Sequence, residues 1–270
     1  MTFLVLILIG LTVFNRSKLE IEPVFDPDDV VIFTNFDDNA VKESSSCPDD
    51  MVHVEGAYCP DKEEICLKWL DKDQSPTANS GIGPMRCAEF QFPTKCLSKR
   101  RIQKDFCMDR YEFKNQKDEL PIVSITWIEA KQSCESLGKR LCTDSEWTFA
   151  CEGEDMKPYP YLDGYHRNEE ICDQTHTPMP VGLPQSEWPK YYQGHLSGSF
   201  PLCVSPFGVY DMVSGVDEWV VNESKNPYVS GLKGGYGTNR VRTRCSVETT
   251  AHGPEFKYYQ VGTRCCKDAQ

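Results

Sequence analysis

Thr126-Trp-Ile-Glu-Ala-Lys-Gln-Ser-Cys134-Glu-Ser-Leu-Gly138-Lys-Arg-Leu-Cys142-Thr143-Asp-Ser-Glu-Trp147-Thr-Phe-Ala-Cys151 is the most regular stretch of this chain. Trp127, Ala130, Cys134 and Leu137 recur at helical spacing, which predicts a helix over 127–137. Thr126 is a fair N-cap, and Glu129, three residues on, completes a capping box. Gly138 stops the helix. Thr143-Asp-Ser-Glu146 repeats the box, and Trp147, Ala150 and Cys151 follow on one face, so a second helix begins at Thr143. Between the two, Gly138-Lys139-Arg140 reads as a stop followed by the start of a strand, with Lys139 or Arg140 placed to pair with a buried acid. Trp127, Trp147 and Trp219 are read as core.

Away from these helices regular structure thins. Short strands are predicted at Ile122–Ile125, Val209–Val213, Glu218–Val221 and Tyr259–Cys265. Residues 155–205 offer little but turns. Two loops there, Tyr159-Pro-Tyr-Leu-Asp-Gly-Tyr165 and Trp188-Pro-Lys-Tyr-Tyr192, are aromatic; such residues mostly pin loops to a core, though Tyr and Trp also favour interfaces. A chain with so few periodic segments needs cross-links or ions to hold its loops. It has 14 cysteines in 270 residues, none in a Cys-x-x-Cys pair. An even, dispersed set reads as a disulfide framework. Structural zinc sites bring ligands in close pairs, and only Cys265 and Cys266 adjoin. Reducing compartments rarely carry so many cysteines, so the folded part is expected outside the cytoplasm.

The N-terminal residues 1–19 read as a membrane anchor or signal segment. Phe3 to Phe14 is apolar apart from Gly10 and Thr12, and is short for a bilayer span of about 20 residues. No basic residue precedes the run and no Ala-x-Ala-like site follows it, which favours an uncleaved anchor over a cleaved signal. Residues 20–46 read as an acidic tether: Lys42 is its only base, and Pro23 and Pro27 oppose regular structure. The whole chain carries a formal charge of −12, which argues against nucleic acid and anionic lipid headgroups as partners. Against that background Arg240, Arg242 and Arg244 share one strand face, with Arg264 also basic; internal pairing with the many carboxylates is their expected role. Residues 47–270 then form one domain, with 47–105 as its cysteine-rich opening segment.

An ordered series of motifs within that domain resembles the formylglycine-generating enzyme family, the sulfatase-modifying factors. It begins with Met51-Val-His-Val-Glu-Gly56 and Phe106-Cys-Met-Asp-Arg-Tyr-Glu-Phe113. It continues through Leu120-Pro-Ile-Val-Ser-Ile-Thr-Trp127, the helical stretch above and Ser205-Pro-Phe-Gly-Val-Tyr-Asp-Met-Val213. Glu218-Trp219, Gly234-Gly235 and Val261-Gly-Thr-Arg-Cys265 complete it. The resemblance implies an α+β, C-type-lectin-like fold with much irregular loop. It also implies two disulfides, Cys134 with Cys265 and Cys151 with Cys245, each closing a long loop worth roughly 4–5 kcal/mol in the chain-entropy model.

The same resemblance exposes a departure. Family enzymes carry two redox-active cysteines between the Gly-Gly and the structural cysteine, where soft thiolates bind copper(I) and activate oxygen. Here that segment reads Gly234-Gly-Tyr-Gly-Thr-Asn-Arg-Val-Arg-Thr-Arg-Cys245, shorter and with neither cysteine. No copper is expected, no catalytic residue is assigned, and Tyr236, Asn239 and arginines are expected to fill the pocket. The five histidines are scattered, unlike the cluster of the related iron-dependent sulfoxide synthases. One metal site is implied. Asp211-Met-Val-Ser-Gly-Val-Asp-Glu218 aligns with the family's structural calcium loop, which makes the Asp211 and Glu218 carboxylates and the Ser214 and Val216 carbonyls the ligands.

The chain is therefore expected to be a non-catalytic extracytoplasmic module, in periplasm or at a cell surface, membrane-anchored or secreted. It would bind or scaffold other envelope or membrane proteins, with calcium as a structural cofactor. The alternative is an oxidoreductase acting on protein or small-molecule thiols through other cysteines, such as Cys203 or Cys266.

Overall fold

Strand β1 (Met51–Tyr58) buries Val52 and Val54 and exposes His53 and Glu55, the period of a half-buried strand. It pairs antiparallel with β6 (Ile102–Asp109), Met51 opposite Asp109 and Tyr58 opposite Ile102. Between them lie four short strands: β2 (Lys62–Glu63), β3 (Cys66–Trp69), β4 (Cys87–Phe90) and β5 (Lys95–Cys96), paired β2 with β5 and β3 with β4. The computed structural model describes residues 46–70, 86–173, 180, 182–235 and 244–270. The anchor and almost all of the tether lie outside these, as do Tyr236, Asn239, Arg240 and Arg242. No helix among the described residues is long and apolar enough to cross a membrane. Residues 44–270 form one unit.

Helix α1 (Trp127–Ser136) and helix α2 (Asp144–Glu152) start where the capping boxes place them, with the Thr126–Glu129 and Thr143–Glu146 exchanges both formed. Gly138, at φ +66°, takes the left-handed turn that ends α1. Strand β7 (Arg140–Leu141) joins the helices. Lys139 pairs with buried Asp109 at 2.6 Å, and Arg140 grips Glu146 with two hydrogen bonds of 2.8 Å.

Strands β8 (Asp217–Val221), β9 (Ser230–Gly234) and β10 (Val261–Thr263) form a second sheet in the order β10-β8-β9, with β10 and β8 parallel. Strand β11 (Cys265–Asp268) returns to the first sheet, whose order is β1-β6-β11-β7. The three core tryptophans are stitched around β8. Trp127 donates to the Val220 carbonyl at 2.9 Å, Trp219 to the Ile125 carbonyl at 2.9 Å, and Trp147 to the Glu218 carboxylate at 2.7 Å.

Two predicted strands are absent. At 122–125, Ser124 is left-handed (φ +62°), and Ile122 and Ile125 bond the separate carbonyls of Phe113 and Val261 rather than one ladder. At 209–213, Asp211 is left-handed (φ +63°) and successive amides donate to the Ser205 hydroxyl and to the Arg110 and Cys203 carbonyls. The strand predicted over 259–265 is split at Arg264, which lies between β10 and β11. Strand β9, Ser-Gly-Leu-Lys-Gly, reads as a loop by composition and is a strand because its neighbour β8 pairs it over its full length. Residues 185–191 form a 3-10 helix within the stretch expected to hold only turns. Tyr159, Tyr161, Tyr165 and Trp188 are buried, so the aromatic loops do pin themselves to the core.

All 14 cysteines are paired. Cys134 is bonded to Cys265 and Cys151 to Cys245, with Cα separations of 5.6 and 5.5 Å. The others pair Cys47–Cys107, Cys59–Cys96, Cys66–Cys87, Cys142–Cys266 and Cys172–Cys203. Neighbours on a strand face opposite ways. Cys265 therefore belongs to the core around Trp127 and Trp219, and Cys266 to the core around Trp147 and Phe149. β11 is bolted on both faces.

Alkylation of the unreduced, denatured protein is expected to modify no cysteine, and any alkylated site would contradict the pairing. Replacing Cys134 and Cys265 together by Ala is expected to cost roughly 2–5 kcal/mol in denaturant unfolding.

Candidate binding cleft

Lys233-Gly234-Gly235 closes β9, and close contact explains the glycines. Gly234 has φ +117°, and a Cβ there would lie 2.5 Å from the Val216 carbonyl oxygen. At Gly235 it would lie 1.8 Å from the Val213 carbonyl oxygen. The backbone thus rests directly on the 211–217 loop. Lys233 is only 3 % exposed, and its ammonium stands 5.3 Å from the centre of the Trp147 ring. Among the described residues it makes no hydrogen bond or ion pair.

Lys233 lines a cavity of about 560 Å³. Asp144, first residue of α2, Glu223, just after β8, and Glu248 line it too. Ser145 organises one wall: its amide donates to Asp144 at 2.8 Å and to Glu223 at 3.2 Å, and its hydroxyl accepts from Lys104 at 2.6 Å. Lys62 is held by Glu152. Tyr58, Pro60 and Ile102 supply apolar surface.

Burial raises the Asp144 carboxyl to about 7, helped by its hydrogen bond to Glu223 and the charges of Glu248 and Glu223. Burial opposes ionisation of Glu223 as well, but hydrogen bonds from Asp144 and Ser145 hold it low. Burial raises Glu248 despite the charge of Lys233. Burial lowers Lys233 to about 8, against the pull of Glu248. The cleft therefore holds an acid and a base that both exchange protons near neutrality.

A second buried cluster lies around Arg264. Its guanidinium meets both oxygens of Glu218 at 2.8–3.2 Å and the carbonyls of Asp109, Arg110 and Tyr210 at 2.9–3.1 Å. All five N–H donors are satisfied. Glu112 accepts from Ser197 at 2.7 Å, and burial, then the charge of Asp211, push it well up. Asp211 accepts from the Gly198 amide at 2.6 Å, and burial raises it to about 6.

This geometry bears on the calcium ligands expected at Asp211, Ser214, Val216 and Glu218. Both Glu218 oxygens take Arg264, and one also takes Trp147. The Ser214 carbonyl accepts the Val216 amide at 3.0 Å. No group of three or more acidic, His or Cys side chains among the described residues is arranged to hold a metal ion. As placed, both Glu218 oxygens are engaged by a cation of the protein's own, Arg264. Of the basic face, Arg244 pairs with Glu64 at 2.9 Å and Arg264 with Glu218, both internal.

The cleft leaves no signal in the sequence. Asp144 was visible only as a residue inside a capping box, and Lys233 only as one charge in a Gly-rich run. Nothing in the spacing signals that residues 144, 223, 233 and 248 meet.

Residues 79–269 match the family described as sulfatase-modifying factor enzyme 1-like domain. The inactive C-alpha-formylglycine-generating enzyme 2 of Bos taurus is 30% identical over 115 residues, 40% of this chain and 35% of that protein. Its Mus musculus counterpart is 29% identical over 114 residues, 40% of this chain and 33% of that protein. The match thus spans about a third of the length of either relative. Among solved structures, PvdO from Pseudomonas aeruginosa has a TM-score of 0.50 at 16% identity, covering 83% of this chain and 97% of that one. CarF has 0.52 at 14% identity, covering 83% and 99%. At these identities the likeness is one of fold.

Arg264→Met is expected to cost roughly 3–5 kcal/mol of stability in denaturant unfolding, because it strands the Glu218 charge in the core. A calcium chelator is expected to leave the melting curve unchanged. Lys233 has a folded pKa below its unfolded one, so the unfolded chain binds more protons between about pH 8 and 10.5 and stability rises with pH there. Measured against Lys233→Met, the wild type should gain stability across that window; parallel pH profiles would show an ordinary lysine.

Proposed function

Because the chain belongs to the sulfatase-modifying factor enzyme 1-like family, we propose that it is a non-catalytic member, an extracytoplasmic binding or scaffolding module of a cell-envelope assembly. One observation carries this reading. The only cysteine between Gly234 and Cys245 is Cys245 itself, and it is bonded to Cys151. Copper(I) chemistry of the family's kind needs two thiolates facing one pocket. Here the neighbouring cleft offers carboxylates and an amine, which are hard donors. The relatives described as inactive formylglycine-generating enzymes support the same reading.

The rival oxidoreductase would work through Cys203 or Cys266. Both are fully buried, and they are tied to Cys172 and Cys142. A buried disulfide gives an external thiolate no line of attack. Seven disulfides support an oxidising working compartment. Anchoring through residues 3–14 would hold it at a membrane surface, with envelope or membrane proteins as partners.

Incubated with a sulfatase-type cysteine peptide, copper(I) and oxygen, the purified protein is expected to form no formylglycine detectable by an aldehyde probe, and to retain no stoichiometric copper. Turnover abolished by a copper chelator would overturn the reading. Native chain isolated from membranes should retain Phe3–Phe14; an N-terminal peptide starting after residue 18 would identify a secreted form instead.

A further inference from the structure

We infer that the cleft beneath Lys233 binds a compact zwitterion of the α-amino-acid type, its carboxylate on the Lys233 ammonium and its ammonium on the Asp144 and Glu248 carboxylates. The inference rests on the binding reading above and gives it a ligand class.

The cavity has the size of a small-molecule site, about 560 Å³. Its charged groups are unevenly matched. Lys62 is spent on Glu152, and Lys104 reaches Ser145. Lys233 is 97 % buried and, among the described residues, has only the Trp147 ring against its ammonium. A desolvated ammonium without an acceptor is costly, and such a group aimed into a cavity is an open half of an interaction. The opposite half is on the same walls. Asp144, Glu223 and Glu248 crowd three carboxyl groups together, and no ammonium or guanidinium among the described residues forms an ion pair with any of them.

Single-charge ligands suit this cleft poorly. A simple cation would face Lys233, and a simple anion would face four acids, Asp61 among them. A ligand with both charges, set a few ångströms apart, answers both at once. Tyr58, Pro60 and Ile102 leave apolar surface for its side chain. The titration behaviour agrees. Lys233 and Asp144 are both displaced toward their neutral forms, and a zwitterion would return each toward its charged form.

The test is calorimetry and thermal melting near neutral pH with L-alanine, L-glutamine and L-phenylalanine, beside propylamine and propionate. At least one amino acid is expected to bind saturably and raise the melting temperature. Propylamine and propionate should each bind weaker by about tenfold or more, the effect of losing one charge-assisted hydrogen bond. Lys233→Met and, independently, Glu248→Gln should weaken amino-acid binding by a similar factor. Lys233→Met removes an unpaired buried charge and should remain folded; if it does not, Glu248→Gln decides. No binding of any of the three at millimolar concentration would overturn the inference, as would equal binding of a single-charge analogue or undiminished binding by a folded variant. Formylglycine formation is measured separately, so failure here leaves the non-catalytic reading standing, and turnover there fails that reading alone.

Discussion

The Arg264–Glu218 pair is the joint on which the two sheets turn. Arg264 is the single residue between β10, in the second sheet, and β11, in the first. Its guanidinium meets Glu218 on β8 and three backbone carbonyls, from Asp109 at the end of β6, Arg110 and Tyr210. An isolated buried guanidinium would be strongly destabilising, and a buried pair is tolerable only when every remaining proton has a partner. That condition is met here. Trp147 adds α2 to the same carboxylate. One side chain therefore ties together the end of β6, the Tyr210 backbone, β8 and, through Glu218, the second helix.

Around that joint the disulfides do what regular structure does elsewhere. The two helices are short, and long connections join β6 to α1, α2 to β8 and β9 to β10. Cross-links that close long loops remove the most freedom from the unfolded chain. Cys134–Cys265, Cys142–Cys266 and Cys151–Cys245 span 131, 124 and 94 residues. They fasten α1, the residue after β7 and the end of α2 to the C-terminal third of the chain. Among residues 47–107, Cys59–Cys96 and Cys66–Cys87 instead staple the small strand pairs, which are too short to stand alone, and Cys47–Cys107 ties the residues before β1 to β6.

What was legible in the sequence follows from the range of the forces involved. Capping boxes at Thr126 and Thr143 are local, and they fall where the residues put them. The core tryptophans and the helix stop at Gly138 are equally local. The strands expected at 122–125 and 209–213 have strand-like residues, but Ser124 and Asp211 turn left-handed to deliver amides to distant carbonyls. Only tertiary context dictates that. Nothing local in the Asp211-to-Glu218 spacing signals that Arg264, 46 residues from Glu218, donates to its carboxylate. Arg264 itself was legible as a cation, not as a buried one. The cleft was least visible, because its four charges come from α2, the residues after β8, the end of β9 and the turn after Cys245.

The cleft and the missing thiols belong to one argument about charge. A site built on paired cysteines can be nearly neutral when its thiols are protonated. Once the segment after Gly234 lacks them, the nearby chemistry rests with ionisable side chains. An unpaired ammonium and a carboxyl held partly protonated near neutrality both subtract from folding stability. Strain of this sort persists where the surrounding structure over-determines it. Here the surroundings do so on every side. Lys233 is fixed by a strand whose next residues cannot accept a Cβ, Asp144 by a capping box, and Glu248 by a turn three residues past a disulfide to α2. Among the described residues no ion pair joins Lys233 to the Asp144 or Glu248 carboxyl group, and opposite charges left unjoined on the walls of one cavity make a place for a ligand that carries both.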